Sequence, residues 1–340
     1  MKKFFLIVMI AAATVYFYYW YVRGIDILLG GDEAVNIETY ASFATRIPAK
    51  VKTPIWLKAA AMPTPRTSVA AAAIKDKIYV VGGFDGFART LDTVEVYDAT
   101  ADSWSKAQPL PKPLHDVMLI ENEGKLYAMG GLEGIAETPV KTMYVYDPAQ
   151  NVWLDGPALP RPVGAAAAAV LDGRIHVVGG VGFAGATDYH FIFDPALQRW
   201  SVGETMNTIR DHLGAAAVGG LLFAVGGREG SVASNLATLE AFDPASALWE
   251  TREPMPSRRG GINAVAFNGK ICVFGGEAPT VTFDRVDVYD VKKRSWSTAP
   301  AMPTARHGAG IAVAGGKIFI IGGGRRTGPS VSDVNEVFVP

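Results

Sequence analysis

Four arginines recur at one spacing. Arg66, Arg210, Arg259 and Arg306 each stand sixteen residues before the first glycine of a Gly-Gly pair. Guanidinium forks repeated in this way suit a bidentate grip on carboxylates or phosphates. Two residues further on, the same phase of the repeat brings Ser68, Asp116, Ala165, His212, Gly261 and Gly308. Side chains two apart in an extended strand share a face. Ser68, Asp116 and His212 therefore join the four arginines as candidate ligand-binding residues. A structural alternative pairs the arginines with Asp98, Asp147, Asp194, Asp243 and Asp290 or uses them to cap loops. Between the two phases, His115, Asp211 and His307 fall in alternate copies, two imidazoles and a carboxylate that invite a metal reading. Neighbouring sheets that pack face to face give such side chains no reason to converge, so the expectation is no metal, no cofactor and no catalytic residue. Cys272, inside the apolar run 271–274, reads as a small buried hydrophobe.

The elements that carry these residues repeat six times. Gly-Gly pairs begin at Gly82, Gly130, Gly179, Gly226, Gly275 and Gly322, and Trp56, Trp104, Trp153, Trp200, Trp249 and Trp296 each precede a pair by 26 residues. Seven residues before five of these tryptophans comes an aromatic followed by aspartate, at Tyr97, Tyr146, Phe193, Phe242 and Tyr289, and Phe338 supplies the sixth aromatic. Each copy reads as four short strands separated by turn signals such as Lys75-Asp76 and Asn268-Gly269. Antiparallel sheets of this size must cover both faces, and radial stacking does so while leaving only short edges. The expected fold is an all-β, six-bladed propeller of four-stranded antiparallel blades. Its alanine-rich first strands, such as 165–169 and 215–217, suit the crowded hub. No tryptophan follows Phe338, so the strand around Trp56 is expected to complete the last blade beside residues 333–339 and close the ring.

The double glycine, the aromatic-Asp pair and the tryptophan at these offsets resemble the kelch repeat over about Pro54 to Pro340. Met62-Pro63, Met255-Pro256 and Met302-Pro303, each followed by an arginine, resemble it further. In kelch domains that bind acidic peptides, the resemblance implies that basic residues line the pocket at the two positions singled out above. Two enzyme families with kelch-like propellers are also relevant. Similarity to galactose oxidase-like copper enzymes fails at Cys272, which lies in an apolar second strand. Similarity to sialic acid mutarotases implies a carboxylate or histidine beside an arginine, a part Asp211 or His212 next to Arg210 would play; the longer loop insertions of that family are missing.

The chain has 340 residues, 49% hydrophobic and 19% charged, and a net charge of −1. It is globular, with no global field to attract nucleic acid. Lys2-Lys3 precede nineteen residues, 4–22, that are apolar but for Thr14 and tyrosine hydroxyls, long enough as a helix to cross a bilayer. Ala11-Ala12-Ala13 offers the competing site of a cleaved signal peptide. The expected organisation is an N-terminal hydrophobic helix over 1–23, a linker over 24–52 and a propeller over 53–340. The propeller, a monomer, would sit on the extracytoplasmic side, periplasmic or extracellular, and would be secreted if the segment is cleaved. The functional expectation is a noncatalytic module whose channel mouth captures an acidic protein segment or an anionic glycan. The alternative is a sugar isomerase or mutarotase using the same mouth.

Overall fold

The computed structural model describes residues 53–340; the expected N-terminal helix and linker lie outside them. Among the described residues no helix is long and apolar enough to cross a membrane. Residues Pro54–Pro340 form one compact unit of six four-stranded antiparallel sheets. Blade 1 runs outward from the hub through Ala70–Ile74, Lys77–Val81, Val94–Asp98 and Ser103–Lys106. Blades 2 to 5 repeat this order, with inner strands Met118–Asn122, Ala167–Leu171, Gly214–Val218 and Asn263–Phe267. Blade 6 comprises Gly310–Ala314, Lys317–Ile321 and Asn335–Val339, and its outer strand is Ile55–Lys58. Trp56 lies opposite Phe338 and Lys58 opposite Glu336, so the two ends of the propeller pair to close the ring. No edge of blade 6 is then left without its fourth strand, and residues 54–340 close the ring among themselves.

Short strands hold here because each apolar face meets the next blade. Second strands such as Leu221–Val225 and Ile318–Ile321 are buried almost throughout, and the core divides into six clusters around the ring. Alanine at the inner strands, including Ala71–Ala73 and Ala215–Ala217, lets six backbones approach the axis. The tryptophans act as stitches. Each indole N–H donates to a carbonyl in the segment that leaves the previous blade: Trp104 to Ala60, Trp153 to Gln108, Trp200 to Pro157, Trp249 to Glu204, Trp296 to Glu253, and Trp56 back to Pro300. Asp98, Asp147, Asp194, Asp243 and Asp290 accept from backbone N–H groups two or three residues on, holding the outer turns.

Candidate functional site at the channel mouth

The loops that follow each Gly-Gly pair and the segments that enter each inner strand emerge on one face. In every blade the residue after the second glycine makes an isolated antiparallel bridge to the entering segment: Thr67 with Phe84, His115 with Leu132, Gly164 with Val181, Asp211 with Arg228, Gly260 with Glu277, and His307 with Gly324. The next residue inward, from Ser68 to Gly308, has a left-handed backbone in all six blades, with φ between 48° and 63°. That conformation turns its N–H sideways. Asp116 N donates to Ser68 O, Ala165 N to Asp116 O, His212 N to Ala165 O, Gly261 N to His212 O and Gly308 N to Gly261 O, all at 2.8–3.0 Å, and Val69 N to Gly308 O closes the circle at 3.3 Å. A closed ring of backbone hydrogen bonds thus rims the axis. The space beneath it, about 160 Å3 at the ring and about 360 Å3 deeper, is lined mainly by alanine and branched aliphatic residues. At the ring, Ser68, Asp116 and His212 add polar side chains to the lining.

The four arginines do not reach that rim. Arg66, Arg210, Arg259 and Arg306 are at most 1% exposed, each laid into the top of its own blade. Arg66 donates to Glu95 at 2.9 Å, Arg210 to Glu240 at 2.9 Å, Arg259 to Asp287 at 2.6 Å and Arg306 to Glu336 at 2.7 Å. The other terminal nitrogen of each donates to the carbonyl of the first Gly-Gly glycine and to one at the start of the third strand, as Arg66 does to Gly82 and Thr93. Burial draws the pKa of Arg210, Arg259 and Arg306 down to about 10, opposed by the facing carboxylates, and lowers that of Arg66 in the same way. They remain charged at neutral pH and offer no exposed surface to a ligand. The expected alternative partners Asp98 to Asp290 are corrected too, because those aspartates hold the outer turns.

What the rim does bring together is a connected polar cluster on blades 4 to 6. Asp211 Oδ1 accepts from His212 Nδ1 at 2.5 Å and from Arg228 Nε at 3.2 Å. Arg228 Nη2 donates to His212 Nε2 at 3.0 Å, which sets His212 as the tautomer protonated on Nδ1. Arg228 Nη1 reaches Glu277 Oε1 at 3.2 Å, and His307 Nδ1 lies 3.7 Å from the same oxygen. The second Glu277 oxygen accepts from Gly328 N. Across the axis, His115 Nδ1 and Asp116 Oδ2 are 2.9 Å apart. Burial works to lower the His115 pKa, but the hydrogen bond and charge of Asp116 outweigh it and the net shift is upward. Burial likewise works to raise Asp116 and Asp211, and the adjacent imidazoles, with Arg228 for Asp211, hold both carboxyls below their usual range. Of the expected site residues, then, Ser68, Asp116 and His212 sit at the rim and the arginines beneath it. Asp211 and His212 do meet a guanidinium, but it is that of Arg228 and not of Arg210. Arg228 and Glu277 escaped the sequence reading because each occurs in one copy only, where a search for periodicity finds nothing. Among the described residues no group of three His, Cys, Asp or Glu side chains is placed to hold a metal ion.

A propeller with six copies of one blade, rimmed by variable residues on an invariant backbone ring, defines a repeat scaffold that displays chemistry at one mouth. The kelch motif matches residues 65–111, 122–160, 209–256 and 258–303, more than half of the chain, and the chain belongs to the kelch-repeat family. Among solved structures it is similar to the one titled "Structure of YjhT", at 16% identity and a TM-score of 0.70, covering 81% of this chain and 95% of that chain. This likeness is one of fold. No curated protein matches the sequence.

Proposed function

We propose that this propeller is a noncatalytic binding module that holds an anionic glycan at the channel mouth, carried at a membrane by residues 4–22 with the mouth on the extracytoplasmic side. The observation that supports this reading is the hydrogen-bonded cluster of Asp211, His212, Arg228, Glu277 and His307. It sits opposite the apolar, half-buried bridge residues Phe84 and Val181. Carboxylates and imidazoles fixed in this way exchange hydrogen bonds with sugar hydroxyls, while an apolar wall takes the ring's C–H face. The anionic group of such a ligand would meet Arg228 and the exposed Arg325-Arg326. An acidic protein segment has less support now that four arginines face inward.

Titration calorimetry of the propeller against a panel of neutral and anionic oligosaccharides tests this. Binding should fall at least about tenfold in Arg228→Ala and in Asp116→Ala, and should weaken with salt. Affinity for no member of the panel would overturn the glycan reading. The coupled His115–Asp116 pair favours one second reading, a sugar mutarotase at the same mouth. Saturation-transfer NMR of the anomeric protons separates the two: accelerated anomer exchange that is lost in His115→Gln would make the protein an enzyme.

A further inference from the structure

The loop tips of the mouth face repeat one motif in half of the ring. Gly86-Phe87-Ala88 and Gly134-Ile135-Ala136 begin four residues after the first glycine of the pairs in blades 1 and 2, and Gly182-Phe183-Ala184 begins three residues after it in blade 3. Phe87, Ile135 and Phe183 are 82%, 84% and 76% exposed, the three most exposed large hydrophobic side chains among the described residues. Nothing in the blade requires them, for blades 4, 5 and 6 carry Ser231, Thr280 and Thr327 at the corresponding tips. The tips are held in tight turns. Ala88 N donates to Asp85 O and Glu137 N to Gly134 O, and Phe183-Ala184 is the two-residue turn between Val181–Gly182 and Gly185–Ala186. Three apolar side chains are therefore presented to water on ordered supports, on three adjacent blades, on one face.

We infer that the blade 1–3 sector of the mouth face docks on a lipid bilayer, with Phe87, Ile135 and Phe183 inserting as three separate points. The sameness of the tips selects this partner. A folded protein offers a different pocket to each of three loops, whereas a bilayer offers all three the same medium. The tips stand on separate loops, as insertion between headgroups requires. Charge sets the kind of bilayer. Segments 84–92, 132–141 and 181–190 carry Asp85, Asp92, Glu133, Glu137 and Asp188 against Arg89 and Lys141, and Asp85 already pairs with Arg89. This surplus of carboxylates gives no attraction to anionic lipid, so docking rests on apolar burial and is insensitive to salt.

The test uses the propeller alone, residues 54–340, which closes its own ring, so that residues 4–22 contribute nothing. Flotation with pure phosphatidylcholine vesicles should carry the propeller with it, equally at low and high salt. Phe87→Ser, Ile135→Ser and Phe183→Ser should each lower the partition coefficient about tenfold, the triple variant should stay at the bottom, and Ser231→Phe should raise the coefficient. Thermal unfolding should be unchanged in all of them, as the side chains are exposed. Failure of the unmodified propeller to float, or flotation only with anionic lipid, overturns the proposal. So does equal flotation of the triple variant. A fall in sedimentation coefficient of the triple variant without loss of flotation would show that a second copy covers the tips, which also overturns it.

Discussion

At the position where blade 4 has Arg210, blade 3 has Val163; where Arg210 meets Glu240, Val163 shares an apolar cluster with Phe191. Blade 2 follows blade 3, with Leu114 and Tyr144 in one cluster, and blades 1, 5 and 6 follow blade 4. The exchange is wider than one pair. Four residues before the arginine stands Met62, Met206, Met255 or Met302, and two before it a hydroxyl, Thr64, Thr208, Ser257 or Thr304. In blades 2 and 3 the same places hold Leu110 or Leu159 and Lys112 or Arg161. The backbone is indifferent to the choice: Gly83 N donates to Leu114 O as Gly276 N does to Arg306 O. One seam thus accepts a buried ion pair or an apolar pair, as expected when desolvation nearly cancels the Coulombic attraction. What the seam cannot accept is half of either.

Breaking one ion pair should have the largest effect. Glu240→Ala leaves Arg210 charged and buried, facing the carbonyls of Ala224, Gly226 and Thr238 with no carboxylate, and should cost about 3–5 kcal/mol in urea unfolding at pH 7. Next comes acid. His176 Nδ1 and His190 Nε2 are 2.8 Å apart between blades 3 and 4, against Phe242 and Trp249. Burial lowers His176 to about 3 and His190 to about 4, the former helped by the charge of its neighbour. The unfolded chain binds these protons near pH 6.5 and the folded one does not, so their stability is complete above pH 6.5 and drains away as pH falls toward 3–4. Unfolding at pH 7 and 4.5 should differ by several kcal/mol, on the order of 2–5, and a His176→Leu, His190→Phe double variant should flatten that slope.

The exchange itself can be transplanted. Arg210→Leu with Glu240→Tyr builds the blade 2 pair in blade 4, and should recover to within about 1–2 kcal/mol of the unmodified protein, a coupling that the two single variants would expose in a double-mutant cycle. The smallest effect distinguishes blade 5 from its ionic companions. Thr64, Thr208 and Thr304 donate to the second oxygen of the glutamate, at 2.7 Å each. Asp287, one methylene shorter, is met instead by Arg285, and the Ser257 hydroxyl is left buried without a partner. Thr304→Val should therefore cost about 1 kcal/mol, while Ser257→Ala should be neutral within about 0.5 kcal/mol.

The fold was legible because six copies agree: the Trp–Gly-Gly spacing, the turn signals and the lone strand at Trp56 all point to one ring, and the pairing of Ile55–Lys58 with Asn335–Val339 realises it. The seam was not, although its signal was present. Glu95, Glu240, Asp287 and Glu336 lie two residues before the third-strand aromatic in the four copies that have arginine, and Tyr144 and Phe191 stand there in the other two. Periodicity places a residue in a blade but does not say whether its side chain turns toward solvent or into the seam; only its covarying partner does. The polar rim was half legible. Asp116 and His212 share a phase of the repeat, but Arg228 and Glu277 belong to loops, where backbone geometry repeats and side chains do not.

Closing the ring with its first strand has a consequence for synthesis. Ile55–Lys58 leaves the ribosome some 277 residues before its partner Asn335. At about 5–20 residues per second, the strand waits on the order of 14 to 55 s as an unpaired edge bearing Trp56. Five blades can stack in that interval, but the circle cannot lock, so a chain that folds blade by blade passes through an open, five-bladed crescent. Any factor that shields a sticky strand during translation would have its target here.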